Sequence, residues 1–149
     1  MEWVAELRGS IIGLDTAPLI YLIEERPICL PALQAFFGAL SRGEFTVVTS
    51  ALTLTEVLVH PFRQKNYGLA EEYRRILLHA SHIETLPVSG AIAEEAARLR
   101  AMHNFRTPDA IQLATAIVSG ASAFLTNDAR LAELRTPKVL VLNNLVSLS

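Results

Sequence analysis

Aspartate occurs at only three positions in this sequence, and all three lie where a predicted structural element begins or ends. Asp15 and Asp128 each follow a short apolar run that predicts a buried strand, whereas Asp109 opens a helical pattern. Glu56 lies in the first helical turns after a third apolar run. If these runs pair in one parallel sheet, the acids come together beyond the carboxyl ends of its strands, where such sheets bind ligands.

A cluster of carboxylates has a chemical meaning, because like charges a few ångströms apart oppose one another's ionisation. A hard cation removes that conflict. Mg²⁺ prefers oxygen ligands, keeps several waters and is commonly held by one or two carboxylates together with substrate phosphate. Two such ions can activate a water and stabilise the leaving oxygen during phosphodiester cleavage. The pattern therefore favours a metal-dependent hydrolysis that needs neither histidine nor cysteine.

Each acid also has a purely structural interpretation. Asp15 and Asp128 would cap the helices that follow them, and the charge of Asp109 suits the positive end of a helix. Thr53 and Glu56 fit a capping box, in which the glutamate accepts from a backbone N–H at the helix start. Helix caps use Ser, Thr and Asn as readily as Asp. Because every Asp of the chain lies at this predicted edge, capping alone does not explain the pattern.

The elements that must position these acids alternate between strands and helices. The predicted strands cover residues 10–14, 45–48, 83–88, 123–126 and 138–142. One predicted helix has Pro18 near its start and runs to about residue 23, and the others cover residues 30–40, 52–59, 69–78, 90–102, 107–119 and 129–134. We expect Pro61 to stop the third of these helices. The alternation predicts an α/β fold, with a parallel sheet of four to five strands covered by helices on both faces.

Composition narrows the class of protein further. The 149 residues, with a formal net charge of −2, predict one domain over 1–149 and exclude a broad DNA-coating surface. The lone Cys29 excludes an internal disulfide framework. No apolar run is long enough to span a membrane, and the first eight residues contain acids, which are untypical of a signal peptide. We therefore expect a cytoplasmic protein that does not associate with a membrane. Glycine-rich phosphate loops and the G-x-S-x-G elbow of serine hydrolases do not occur in the sequence.

Four stretches of the chain resemble the PIN-domain family. They read IIGLDT at 11–16, TEVL at 55–58, RTPDAIQLATA at 106–116 and FLTND at 124–128. The resemblance runs from about residue 10 to 142, and its last two stretches are specific in this order and spacing. Residues 1–9 extend past the usual start of the family and have no assigned role.

The resemblance implies a three-layer α/β/α sandwich and a ribonuclease that depends on Mg²⁺ or Mn²⁺. Small members of this size look most like VapC toxins of toxin–antitoxin pairs. Such toxins are usually homodimers inhibited by a cognate protein antitoxin. The resemblance thus predicts an RNA substrate and an antitoxin as partners.

Carried over by motif, the acidic metal site would consist of Asp15, Glu56, Asp109 and Asp128. Thr126 would orient Asp128 or a water at the metal. The residues expected to support these acids from behind are Thr16, Asn127 and Gln112, of which Gln112 shares a helix face with Asp109.

The sequence departs from the family at one place. Many relatives carry a further acid two or three residues beyond the position of Asp128, where this chain has Arg130 and Leu131, and the next acid is Glu133. This departure implies that a second metal is weakly held, or is supplied partly by substrate phosphate.

Arginine provides the candidate contacts to RNA. Arginines outnumber lysines by 11 to 2, and a guanidinium can bind phosphate through two parallel hydrogen bonds. Arg98, Arg100 and Arg106 precede Asp109 and could contact an RNA backbone. Ion pairs with Glu94 and Glu95 on a solvated helix face are the simpler interpretation.

Two other functions remain open at this point. A non-catalytic PIN-like module would serve dimerisation or partner docking, with no cleavage and negligible metal affinity. A receiver-type phosphoacceptor domain is also a doubly wound sheet with acids at strand ends. That class favours an adjacent acid pair after the first strand, whereas Asp15 lies between Leu14 and Thr16.

Overall fold

Five parallel strands form the centre of the computed structural model, which describes residues 1–146. The strands are β1 (Ile11–Leu14), β2 (Thr46–Ser50), β3 (Ile83–Leu86), β4 (Ala123–Thr126) and β5 (Lys138–Val141). They lie in the order β3-β2-β1-β4-β5, and every neighbouring pair is parallel. The sheet confirms the predicted α/β class. Its order differs from the 2-1-3-4-5 order typical of receiver-type domains, so that alternative is wrong.

Helices connect the strands and cover the sheet. They are α1 (Glu2–Ala5), α2 (Thr16–Ile23), α3 (Leu30–Ser41), α4 (Ala51–Arg63), α5 (Tyr67–His79), α6 (Gly90–Met102), α7 (Thr107–Val118) and α8 (Leu142–Val146), with a 3₁₀ helix at Ala129–Glu133. None of the helices within residues 1–146 combines the length and apolar character that crossing a bilayer requires.

The sheet is the middle of three layers because successive residues of a strand point to opposite faces. Ile12 of β1 and Leu125 of β4 lie in a buried cluster with Phe36 of α3. On the other face, Phe124 of β4 packs in a second cluster with Leu113 of α7. Burial on both faces explains why these strands are apolar throughout rather than alternating.

Helix α7 lies very close to β1 at Gly13. A Cβ atom built at this glycine would lie 2.6 Å from the Cβ of Ala116 and 2.7 Å from a ring carbon of Phe124. Both distances are shorter than real Cβ contacts, so the strand and the helix approach this closely only because residue 13 has no side chain. The contact packs the last turn of α7, at Ala116, against β1.

The N-terminal segment that had no predicted role is part of the core. Val4 of α1 and Leu7 after it are 6% and 7% exposed and belong to the cluster around Ile12. The ring of Trp3 stacks on Phe36 with 6.1 Å between centroids. Residues 1–9 thus cover one edge of the helical layer on this face.

The structure corrects one helix end. Pro61 does not stop a helix at residue 59, because α4 continues to Arg63 with the proline inside it. A proline there removes a single hydrogen bond near the end of the helix, and Pro61 is buried. Packing of the ring against the protein offsets that loss.

Several element boundaries also differ from the predictions. Strand β2 covers Thr46–Ser50 rather than 45–48, because the polar Thr49 and Ser50 are buried in side-chain hydrogen bonds that an apolar pattern does not reveal. Strand β3 ends at Leu86 rather than at 88. The predicted place of Pro18 early in its helix is confirmed, since α2 covers Thr16–Ile23. The last strand ends at Val141, since the fully buried Leu142 already begins α8.

Candidate active site

The four predicted acids line one open pocket beyond the carboxyl ends of the strands. Its volume is about 480 Å³. The residues around it include Asp15, Thr16, Glu56, Arg106, Asp109, Asn127 and Asp128. The structure therefore brings together the four acids that the sequence predicted to meet, while their catalytic roles stay predictions.

Asp15 is the most enclosed acid of the pocket and follows β1 directly. The backbone N–H of Thr16 donates to its Oδ1 at 2.8 Å, and the hydroxyl of Thr126 donates to its Oδ2 at 2.7 Å. Burial raises the pKa of Asp15, and these two hydrogen bonds lower it in part. The carboxylates of Asp109 and Glu56 raise that pKa further. Asp15 is thus firmly oriented but carries a charge that its surroundings do not fully compensate.

Behind Glu56 lies a buried polar network centred on Gln112. The amide nitrogen of Gln112 donates to the Thr53 hydroxyl at 2.7 Å and lies 3.5 Å from Glu56 Oε1. Its amide oxygen accepts from the Ser50 hydroxyl at 3.1 Å. The Thr16 hydroxyl donates to Glu56 Oε1 at 3.0 Å. Gln112 is 2% exposed, so its bonds to Ser50 and Thr53 are shielded from water. Glu56 lies at the exposed end of the network, where the Thr16 hydroxyl holds its carboxylate.

The capping-box interpretation of Glu56 is wrong. Helix α4 begins after Ser50, whose hydroxyl accepts from the N–H of Leu52 at 3.1 Å. Thr53 therefore lies within the first turn and bonds Thr49 and Gln112 instead of capping the helix. Glu56 points across to Thr16 rather than back to the start of its own helix.

The capping interpretations of Asp15 and Asp128 are confirmed alongside their place in the pocket. Asp15 accepts from Thr16 N at the start of α2, and Asp128 accepts from Arg130 N at the start of the 3₁₀ helix. Capping uses part of each carboxylate only. The structural role and a functional role are therefore compatible.

Asp128 is held by an arginine that the sequence analysis did not count as a site residue. The Arg130 side chain donates from Nη2 to Oδ2 at 2.6 Å and from Nε to Oδ1 at 3.0 Å. These bonds lower the pKa of Asp128. The available signal was Arg130's place in the sequence, two residues after an acid and at a position where relatives carry another acid.

Thr126 connects the two aspartates that follow β1 and β4. Its hydroxyl donates to Asp15 Oδ2 at 2.7 Å and accepts from the backbone N–H of Asp128 at 3.0 Å. Thr126 is fully buried. Thr126 thus contacts the side chain of Asp15 and the backbone of Asp128, while its orienting role toward Asp128 or a water stays a prediction.

Asn127 lines the pocket, but its side chain serves a neighbouring helix. Its Oδ1 accepts from the backbone N–H of Asn143 at 2.9 Å, in the first turn of α8. The predicted supporting role of Asn127 toward the acids is not tested by this contact. What the contact does is fix the loop that carries Asp128.

The three arginines predicted to contact RNA lie in different surroundings. Arg98 pairs with Glu95 at 3.0 Å on α6, which confirms the simpler ion-pair interpretation for this residue. Arg100 donates to the carbonyl of Phe105 at 3.1 Å. Arg106 alone of these three lines the pocket, and it donates to Asp109 Oδ2 at 3.2 Å.

The donor chemistry of the pocket suits a hard divalent cation. Within residues 1–146, no three His, Cys, Asp or Glu side chains are arranged to hold a metal ion between them. Mg²⁺ usually binds through one or two carboxylates and completes its shell with water and substrate phosphate. The pocket therefore fits a water-rich Mg²⁺ or Mn²⁺ site at Asp15, and it does not form a closed cage of carboxylates.

Solved structures with the same fold include toxin–antitoxin assemblies. A chain of a toxin–antitoxin complex from Klebsiella pneumoniae has a TM-score of 0.67 and 25% identity, covering 90% of this chain and 98% of that one. VapBC2 from Rickettsia felis, bound to a DNA fragment from its promoter, has a TM-score of 0.69 and 16% identity, covering 88% of this chain and 98% of that one. DNA-bound VapBC from Salmonella typhimurium has a TM-score of 0.64 and 20% identity, covering 89% of this chain and 98% of that one.

Sequence comparison places the chain in a family. No curated protein sequence matches it significantly. The family model of the PIN domain matches residues 12–137, which include all four acids of the pocket. The sheet, the pocket and this match agree with the resemblance seen in the sequence, and the chain therefore belongs to the PIN domain family.

Proposed function

We propose that this chain is a metal-dependent endoribonuclease and the toxin of a toxin–antitoxin pair. The observation that carries the proposal is the shared pocket, in which Asp15 is buried beside Asp109 and Glu56 with its charge only partly compensated. Membership of the PIN domain family and the likeness to the Klebsiella pneumoniae toxin–antitoxin complex support it.

The residues of the pocket would divide the work as follows. Asp15, Glu56, Asp109 and Asp128 form the proposed acidic site, in which one or two carboxylates, Asp15 among them, would hold a Mg²⁺ or Mn²⁺ ion together with water and substrate phosphate. Such an ion, when bound, supplies positive charge to the phosphodiester and lowers the pKa of water.

Neighbouring side chains keep these acids in position. Thr126 and the N–H of Thr16 fix both oxygens of Asp15. Gln112 and the Thr16 hydroxyl fix Glu56. Arg106, which is 68% exposed at the edge of the pocket, would contact the RNA backbone. Ligands that are oriented in advance in this way need little rearrangement when the substrate binds.

The decisive experiment is cleavage of a labelled single-stranded RNA by the purified chain. We expect cleavage with Mg²⁺ or Mn²⁺ and none after addition of EDTA. The matched control is Asp109→Asn, prepared identically, which should be inactive while its circular dichroism spectrum is unchanged. Equal cutting by both proteins would indicate a contaminating ribonuclease and would contradict the proposal.

The partners can be tested by the same preparation. We propose a protein antitoxin, which the likeness to a toxin–antitoxin complex supports, and a homodimer, which the family resemblance implies. Coexpression with the product of a small neighbouring gene, followed by size-exclusion chromatography, should yield a complex in which RNA cleavage is suppressed. Absence of such a complex would contradict the toxin assignment but leave the nuclease assignment standing.

One observation favours a second candidate, the non-catalytic module. Arginines already engage two of the four acids, Asp109 and Asp128. Such a module would neither cleave RNA nor bind Mn²⁺. Calorimetric titration of the chain with Mn²⁺ separates it from the nuclease, which binds the ion even without its substrate.

A further inference from the structure

Two arginines share the pocket region with the four acids and change its charge. Arg106 contacts Asp109, and Arg130 contacts Asp128. Each pair also acts electrostatically on the other. The charge of Arg106 lowers the pKa of Asp128, and the charge of Asp109 raises the pKa of Arg130. Four acids and two guanidinium groups leave two formal negative charges, which is the charge that one divalent cation neutralises.

Arg130 binds Asp128 more completely than Arg106 binds Asp109. The Arg130 guanidinium reaches both carboxylate oxygens, and its backbone N–H donates to Oδ1 as well, at 3.0 Å. Three of the roughly four lone-pair positions of that carboxylate are therefore used. Arg106 reaches only Oδ2 of Asp109, at 3.2 Å. A cation would thus have to compete with a two-point ion pair at Asp128 but not at Asp109.

Asp15 interacts with two other carboxylates, those of Asp109 and Glu56, although Asp109 also pairs with Arg106. Asp109 and Glu56 both raise the pKa of Asp15, whereas the charged groups acting on Asp128 are Arg130 and Arg106. The excess negative charge therefore lies on the side of Asp15. The negative charge of Asp128 is already compensated by Arg130 and Arg106.

The local chain direction explains why residue 130 has this role. Asp128 caps the 3₁₀ helix, so residue 130 is in its first turn and its side chain lies beside the capping carboxylate. Leu131 points the other way, because it is 1% exposed in the cluster with Phe124. Position 130 is thus the one of these two that faces the acids.

We propose that Arg130 takes the place of a second metal ion, so that the chain binds a single divalent cation, on the side of Asp15 and Glu56. The inference deepens the proposed function and rests on its metal site. Arg130 acts here as a positioning and charge-compensating residue that holds Asp128. A guanidinium provides a fixed positive charge at this point without any metal.

Counting bound Mn²⁺ by electron paramagnetic resonance, with calorimetry for the affinity, tests the proposal without measuring cleavage. The wild-type chain should bind one Mn²⁺. Arg130→Gln frees Asp128 and should bind two, the second more weakly. Arg130→Lys keeps the positive charge and should still bind one. The side chain of Arg130 is 67% exposed, so all variants should fold, which their thermal melting would verify.

Arg42→Gln is the matched control. It removes another exposed arginine that forms a 2.7 Å ion pair, with Glu44, before β2 and at the opposite end of the strands. It should leave the count at one. Two ions in the wild-type chain, or one ion in Arg130→Gln, would overturn the inference alone. A wild-type chain that binds none would overturn the proposed metal site together with it.

Discussion

Two halves of the site differ: the inner half consists of Asp15 and Glu56 with Gln112 buried behind them, and the outer half consists of Asp109 and Asp128 with their arginines. In the inner half, buried hydroxyl and amide groups orient the acids. In the outer half, exposed guanidinium groups pair with them. Both halves hold carboxylates close together, the inner half through hydrogen bonds from hydroxyl and amide groups and the outer half through ion pairs with arginine.

The difference has an energetic consequence. Buried hydrogen bonds that lose a partner cost the full desolvation of the group left behind, so the inner half is rigid. Exposed ion pairs contribute little and are screened by salt, so the outer half can rearrange when a charged ligand arrives. The pKa values follow this division: burial raises that of Asp15, and the hydrogen bonds from Arg130 lower that of Asp128.

Asp15→Asn should give the largest effect and break the inner half. We expect RNA cleavage to fall roughly 10³-fold or more, as when one member of a catalytic unit is lost. We also expect the melting temperature at neutral pH to rise, because the variant removes a buried charge that Asp109 and Glu56 repel. Cleavage assays and calorimetry measure the two outcomes. A stability loss at neutral pH would contradict this view of Asp15.

The pH dependence sharpens the same test. The folded chain raises the pKa of Asp15 above 3.8, so ionised Asp15 destabilises the fold at neutral pH and this cost disappears as the pH falls through the raised pKa. The gain from Asp15→Asn should therefore shrink in acid. Asp128 has the opposite sign: its lowered pKa gives stability that is present above 3.8 and lost as the pH falls through the folded value. Asp128→Asn should thus be slightly destabilising at neutral pH.

Gln112→Met should produce the next largest effect. The change keeps much of the volume but leaves the buried hydroxyls of Ser50 and Thr53 without their amide partner. We expect a loss of about 1–3 kcal/mol in the free energy of unfolding and a roughly 10–100-fold loss of cleavage. Urea denaturation measures the first quantity. Gln34→Met, at an exposed position of α3, should change stability by less than about 0.5 kcal/mol, and equal effects at the two sites would refute the network.

Arg106→Gln should give the smallest effect and tests the outer half. Its ion pair is exposed, so the free energy of unfolding should change by less than about 1 kcal/mol. If Arg106 contacts one phosphate, the salt dependence of RNA binding should weaken by about 0.7 in logarithmic slope. Filter binding over a series of KCl concentrations measures that slope. Arg98→Gln, whose side chain pairs with Glu95 outside the pocket, should leave it unchanged.

The sequence was informative where hydrophobicity or a strand end decided the structure. Apolar runs located all five strands, and the acids that follow them predicted the shared edge. The end of α4 was mispredicted, because whether a helix tolerates Pro61 depends on burial. The start of that helix at Ser50, and with it the orientation of Glu56, depended on the buried partners of Thr49 and Ser50, which come from distant segments.

The outer half of the pocket was less predictable than the inner half for a physical reason. The sequence showed at position 130 only that an expected acid is missing. The ion pair with Asp128 could not be predicted, because an arginine two residues after an aspartate pairs with it only if the backbone geometry is suitable. The 3₁₀ helix after Asp128 supplies that geometry. Gln112 was predicted from its helix face, whereas its link to Ser50 required the packing of α7 against β2.

The close contact at Gly13 makes the spacing of the carboxylates a property of the hydrophobic core. Gly13 lies two residues before Asp15, and α7, which packs on Gly13 through Ala116, carries Asp109 about two turns before that alanine. Any side chain at position 13 would displace Ala116. A single methyl group there would therefore push one acid away from another without touching either. The core and the acids of this protein cannot vary independently, so a substitution deep in the apolar layer would change the spacing of the acids as well as the packing.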